Sequence, residues 1–236
     1  MASPFQAHMI TGFPYMFPGP LGDSLAGRAL QDGLWALETH DLRQFGIGKH
    51  QNIDDTPAGG GAGMVLRADV AAAALDQVTQ SLTMPLPVLL PSPRGRVFSQ
   101  ELAQELAAGP GVIFLCNRYE GVDQRFIEAR APIEVSLGDY ILSGGEMAAL
   151  TMLDAMVRLI PGVMGKLASG DDESFSQGLL EYPHYTRPQN WEGRAIPDEV
   201  TAGDHEKLRR WRQEEAKRLT RERRPDLWAE YVDDDG

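Results

Sequence analysis

Cysteine is almost missing from this chain. Cys116 is the only one in 236 residues, so no internal disulfide and no cysteine-based zinc site can form. Long apolar runs are missing as well: none approaches the roughly 20 residues that span a bilayer. The opening "MASPFQAHMI" carries neither the basic start nor the apolar stretch of a secretion signal. A cytoplasmic protein with no membrane association is the expectation. Several catalytic patterns are lacking too, namely GxSxG, HExxH and a complete GxGxxG. His8, His40, His50, His184 and His205 are scattered, none pairing with another at metal-ligand spacing, so no metal site is expected. "GGGAG" (59–63) is dense in glycine but has no Lys for a phosphate cradle, and it reads as a flexible loop. Cys116 ends an apolar run and reads first as a packing residue, with a Cys–His nucleophile left open. Acid–base chemistry then falls to carboxylates and arginines.

What is present suits a globular chain: 42% hydrophobic and 24% charged residues are enough for a sizeable core. The net charge of −12 argues against a nucleic-acid partner. The distribution weakens that objection, because Lys207, Arg209, Arg210, Arg212, Lys217, Arg218, Arg221, Arg223 and Arg224 crowd into one segment. Its default reading is a solvated helix face.

Short apolar runs at 8–13, 85–90, 111–116 and 131–138 read as strands, with 63–67 as a further short one. Helix-like segments lie between them at 21–32, 68–82, 99–108, 122–129 and 146–160. This alternation predicts an α/β domain around a parallel sheet. Three loops, "PSPRGR" (91–96), "NRYEGVD" (117–123) and "DYILSGG" (139–145), follow strands and converge at one end of such a sheet, where ligands gather. After Pro161 the pattern stops. The expected division is a domain over 1–161, a small, polar, acidic linker over 162–178 and a helical domain over 179–236. That last domain holds a long helix from Asp198 or Asp204 to about Leu219 and a short one near Pro225–Tyr231.

The stretch "ILSGGEMAAL" poses a question, since two glycines open a helix poorly, each costing about 1 kcal/mol against Ala. Ser143 and Glu146 have the spacing of a capping box. The glycines point instead to a close approach by a ligand. Glu146 stands where a phosphate cradle needs a cation, so the expected guest is neutral or cationic.

Taken together, "TGFPYMF", "KHQNIDDTPAGGGAGMVL", "CNRYEGVDQRFIE", "VSLGDYILSGGEMAAL", "VRLIPGV", "ESFSQGLLEYPHYTRP" and "GDHEKLRRWR…RRPDLW" resemble the bacterial tRNA (guanine-N1)-methyltransferases of the SPOUT class. The likeness runs from about His8 to Trp228, in the family's order and spacing. It implies a SPOUT-type parallel sheet with a deep trefoil knot, a helical C-terminal domain and a homodimer whose sites combine both subunits. It also implies S-adenosylmethionine as donor and N1 of guanosine 37 of tRNA as acceptor. By motif, the cofactor wall would comprise Pro93, Asn117, Tyr119, Glu120, Gly121, Ser136, Leu137, Gly138, Asp139, Tyr140, Ile141, Leu142, Gly144 and Gly145. Leu137 and Leu142 have plain core packing as their other reading. Glu173 matches the family's general base, usually Asp, with Asp172 as a lesser candidate, and Arg158 matches its catalytic arginine. The tRNA grip would use Asp54, His184, Tyr185, Thr186, Arg187, Lys207, Arg209, Arg210 and Arg212, with Trp211 as core. Some members depend on Mg2+, and no ligand spacing here places that ion. The chain departs from the family with Asn117 for Gly, Ala58 for Tyr, Ala148 for Pro and "AGDH" for "SGNH". An S-adenosylmethionine-dependent methyltransferase acting on another RNA site, a non-catalytic RNA-binding relative and an ATP- or NAD-dependent enzyme using "GGGAG" are the rival readings.

Overall fold

Five strands alternate with helices and pair side by side, all parallel. The computed structural model describes residues 3–118, 120–164, 173–175 and 178–234. The chain divides into two units, Met1–Lys166 and Leu167–Gly236. In chain order the first unit holds β1 (Phe5–Thr11), α1 (Ser24–Gln31), β2 (Trp35–Asp41), β3 (Asp54–Asp55), β4 (Val65–Leu66), α2 (Ala68–Ser81) and β5 (Val88–Val97). It continues with α3 (Gln100–Ala107), β6 (Gly111–Leu115), α4 (Gln124–Arg130), β7 (Ile133–Ser136) and α5 (Gly145–Val157). The main sheet runs β2-β1-β6-β5-β7, and β3 with β4 forms a separate antiparallel ladder.

Central β6 is buried along its whole length, which suits an apolar run in a parallel sheet covered on both faces. One apolar cluster joins Met9, Trp35 and Phe114 to α3 and α5; the other joins Ile10, Ile113 and Leu115 to α2 and α4. Each fully buried Leu, Ile or Phe contributes about 1.5–3 kcal/mol. Trp35 keeps its indole N–H satisfied by donating to the Ala26 carbonyl at 2.9 Å. Local signals agree with this packing: the Ser99 hydroxyl accepts from the Leu102 amide at the start of α3.

Three features differ from the sequence reading. β2, "WALETHD", was not expected as a strand; its charged residues fit an edge, where one side of the ladder is open. The segment 63–67 supplies β4, outside the main sheet. The "PSPRGR" loop is part of β5: Val135 of β7 pairs with both Pro91 and Arg96, so residues 92–95 form an excursion within the strand.

The second unit adds a short hairpin, β8 (Asn190–Trp191) and β9 (Arg194–Ala195), before α6 (Asp198–Thr201), α7 (His205–Arg223) and α8 (Pro225–Asp234). Asp204 caps α7, its Oδ1 accepting from the Glu206 and Lys207 amides at 3.0 Å each. Among the described residues of the second unit, Leu179, Ala216, Leu219 and Thr220 are buried, and the Thr220 hydroxyl accepts from the Leu180 amide at 2.8 Å. Pro225 lacks the amide that would continue α7 and opens α8 instead. Among the described residues no helix is long and apolar enough to cross a membrane.

Candidate active site

At the carboxyl ends of β5, β6 and β7 the three loops enclose a cavity of about 530 Å³. Pro93 comes from the β5 excursion; Asn117, Glu120 and Gly121 follow β6; Ser136 ends β7, Leu137, Gly138, Tyr140, Ile141, Leu142 and Gly144 follow it, and Gly145 opens α5. All twelve line that cavity. Asp139 is exposed and is not among the lining residues, and Tyr119 lies outside the described residues. Leu137 packs partly against the core, whereas Leu142 is 40% exposed, so core packing does not explain it.

The two glycines have a reason other than a ligand. The Gly145 amide donates to the Asn117 carbonyl at 2.8 Å, and a Cβ there would sit 3.1 Å from the Cys116 Cα. A Cβ at Gly144 would sit 2.6 Å from Glu146 Oε2. The chain's own end of β6 is what approaches this closely, and it brings the 139–145 loop beside 117–118 to wall the cavity.

Nor does Ser143 cap the helix. Gly144 holds the cap position without a side-chain bond, and Ser143 is exposed. Glu146 is turned inward and is 1% exposed. Its Oε1 accepts from the Thr11 hydroxyl at 2.9 Å, and its Oε2 stands 3.2 Å from Arg118 Nε, too misaligned for a hydrogen bond but held as an ion pair. The Arg118 guanidinium lies 4.0 Å over the Phe13 ring. The "TGFPYMF" stretch therefore braces Arg118 at the cavity wall. Sequence reasoning missed Arg118; a charge flanking an apolar strand, with an acid just inside the apposed helix, was the available signal.

The polar lining is mixed. Arg94 Nη2 lies 3.6 Å from Glu134 Oε2, another pair that sequence reasoning did not single out. Among the described residues, Asn117 Oδ1 is buried without a hydrogen-bond partner, an acceptor set beside the cavity. Cys116 lies fully inside the fold, where burial pushes its thiol well above the usual range. That removes it as a nucleophile.

A second hollow shares Arg94, Glu120 and Val122 with the first and adds Asp55, Arg67, Asp69, Asp123 and Arg125. Asp54 is half-buried on β3 beside Asp55. The glycine-dense loop leads into this wall: Gly63 has φ +84° and packs against the Glu120 carboxylate, a structural use for that glycine.

Arg158 follows α5 as its C-terminal cap residue and is half-buried. Glu173, half-buried, belongs to the second unit, and Asp172 lies outside the described residues. Of the remaining expected residues, His184, Tyr185, Thr186 and Arg187 are exposed, with His184 Nε2 2.8 Å from Glu181 Oε1. Lys207, Arg209 and Arg210 are exposed along α7. Arg212 differs: it is half-buried, its guanidinium 4.6 Å over the Tyr182 ring. Trp211 is half-buried with its ring 6.1 Å from that of Tyr185, at the margin of the core.

Sequence dispersion hid one cluster. Parallel pairing of β1 with β2 sets His8 beside Glu38 and Ile10 beside His40, so the His8 and His40 rings meet at 5.4 Å between centroids. Burial is the main cause that lowers the pKa of both.

Comparison with known proteins agrees with the motifs. The family model for tRNA (Guanine-1)-methyltransferase TrmD matches residues 5–230. A Brucella ovis protein named tRNA (guanine-N(1)-)-methyltransferase is 59% identical over 227 residues, covering 96% of this chain and 92% of that protein. Proteins of the same name from Brucella melitensis biotype 1 and Brucella suis are 59% identical over 96% of the chain, which covers 92% and 91% of theirs. The chain belongs to the tRNA (guanine-1)-methyltransferase TrmD family.

Proposed function

We propose that this protein methylates N1 of a guanosine in tRNA, at position 37 beside the anticodon, with S-adenosylmethionine as donor. The observation that carries the donor is the cavity at the ends of β5, β6 and β7. It is lined by glycines, small and apolar side chains, acids and two arginines, Arg94 and Arg118, each beside a carboxylate, and among the described residues no Lys lies in its wall. The buried acceptor Asn117 Oδ1 and the acids Glu120 and Glu134 suit hydroxyl, amino and sulfonium groups, while Arg94 and Arg118 are already engaged by Glu134 and Glu146 rather than held out for a phosphate. Leu137, Tyr140, Ile141 and Leu142 offer apolar surface to an adenine, while Gly138, Gly144 and Gly145 offer close backbone. S-adenosylmethionine supplies, when bound, a methyl group already activated by its sulfonium.

The chain's own residues then position the acceptor and handle a proton. Guanine N1 carries a hydrogen, and Glu173 is assigned to remove it as the bond to the methyl forms. Negative charge moves to O6, where the Arg158 guanidinium stabilises it. Glu173 and Arg158 belong to separate units, which fits a homodimer whose sites combine the first unit of one subunit with the second unit of its partner. Exposed Tyr15, Ile141 and Met147 on the first unit provide apolar surface for such a dimer. Asp54 would lie near the target base, and His184 to Arg187 with Lys207, Arg209 and Arg210 would contact the anticodon stem-loop. A tRNA substrate fits an enzyme of the cytoplasm.

The knot is part of the same proposal. After edge strand β7, the chain passes the end of β5 and pairs Gly144 with Arg118 beyond β6. We read this passage as the threading of a deep trefoil knot around the cavity, which ties the site's geometry to the fold.

Calorimetry with three ligands tests the donor assignment. S-adenosylmethionine should bind and ATP and NAD should not. Binding of either nucleotide, with none of S-adenosylmethionine, would overturn it.

A further inference from the structure

We propose that His8, Glu38 and His40 form a binding site for a zinc-class divalent cation, separate from the methyl-transfer site. The three side chains project from one face of adjacent strands, because Glu38 is the register partner of His8 and His40 follows two residues later. Their ligand atoms all lie within 4.8 Å of one another. His8 Nδ1 is 3.1 Å from His40 Nε2 and 3.7 Å from Glu38 Oε2, and His40 Nε2 is 3.9 Å from Glu38 Oε1. Tetrahedral zinc, with bonds of about 2.0–2.1 Å, sets its ligand atoms about 3.4 Å apart. The two Glu38 contacts run through different oxygens, so a turn of its carboxylate, with adjustment of the two rings, is needed to bring one oxygen and two nitrogens from within 4.8 Å of one another to that spacing.

Two imidazoles and one carboxylate are a donor set for zinc and its borderline neighbours, whereas Mg2+ prefers oxygen alone. Three protein ligands leave a position for water. The site is reachable at that position: His8 is buried, the His40 side chain is 13% exposed and that of Glu38 is 64% exposed. Without a metal, the two facing nitrogens share one hydrogen bond, so one of them carries a proton. For both to bind a cation, that proton moves to the other nitrogen of the same ring. Gln6 stands ready for this on His8, its Oε1 3.5 Å from Nε2, as the outer acceptor that orients a ligating imidazole. An ion here would fasten edge strand β2 to β1.

The experiment is a Zn2+ titration of the untagged full-length chain after chelator treatment, followed by calorimetry. One ion per chain with a Kd in the micromolar range or tighter is expected. Glu38→Gln and His40→Ala should each weaken it more than tenfold, while their metal-free circular dichroism matches the parent. Co2+ should give a tetrahedral visible spectrum in the parent and not in His40→Ala, and excess Mg2+ should not displace either ion. Zn2+ binding that persists in both variants, binding abolished instead by His184→Ala in the second unit, or displacement by Mg2+ would each overturn the proposal. So would the absence of binding below millimolar concentration.

Discussion

Arg118 Nε and Glu146 Oε2 stand 3.2 Å apart at the wall of the cavity at the ends of β5, β6 and β7, with Glu146 almost wholly buried and Arg118 one-quarter exposed. Glu146→Gln keeps the size of the side chain and removes the charge. Removing one member of a buried pair costs about 3–5 kcal/mol, and the partial exposure of Arg118 brings the expected loss nearer 2–3 kcal/mol. Urea unfolding of parent and variant measures it. A variant within about 0.5 kcal/mol of the parent would show that the pair does not brace the wall.

Gly145→Ala tests the close approach of the same loop. A methyl 3.1 Å from the Cys116 backbone forces the loop outward. A stability loss of about 1–3 kcal/mol, typical of overpacking, is expected together with weaker donor binding. Thermal melts and calorimetry on one preparation read both.

These two residues show what the sequence could and could not reveal. The apolar runs of β6 and β7, the helices between them and the convergence of their loops were readable from pattern, since periodicity reports which faces are buried. Gly144 and Gly145 are readable as a close approach, and the end of β6 makes one that no local window contains. Glu146 has the spacing of a capping box, yet its pairing with Arg118 and Thr11 depends on a distant strand end that no local window contains. β2 was missed because "LETHD" looks polar, and an edge strand tolerates polar residues. His8 and His40 are 32 positions apart in sequence and meet only through the parallel register of β1 and β2. Roles for Glu173 and Arg158 came from resemblance alone.

Acid should weaken the cap of α7. Amide hydrogen bonds from Lys207 and Glu206 hold the Asp204 carboxyl below its ordinary value of 3.8. A depressed folded-state pKa means that the stabilisation is complete above about pH 4 and is lost as pH falls through the lowered value. Asp204→Ala should therefore melt earlier than the parent at pH 6, and the gap should shrink toward pH 2. A gap that is constant with pH would mean that the carboxylate is not the cap.

Along α7, the exposed cations and Arg212 should behave differently. Lys207→Ala, Arg209→Ala and Arg210→Ala should raise KM for tRNA with little change in kcat. Each should reduce the salt dependence of binding by about 0.7–0.9 in log–log slope per lost phosphate contact. Arg212→Ala, which removes a cation lying over Tyr182, should chiefly lower the melting temperature. Binding titrations at four salt concentrations and a melting curve separate the two behaviours.

Glu173→Ala and Arg158→Ala should each lower kcat by about 10²–10⁴-fold. Donor affinity should stay within threefold of the parent, since neither residue lines the donor cavity. Single-turnover methyl transfer combined with calorimetry checks both parts. Parent-level turnover in either variant would remove that residue from the mechanism.

Transfer of labelled methyl from S-adenosylmethionine to two tRNA transcripts, identical except for G or A at position 37, decides whether this chain is the enzyme its family membership indicates. Label in the G37 transcript alone is the predicted result, with the product recovered as 1-methylguanosine. Equal label in both transcripts, or none in either despite measured donor binding, would contradict it.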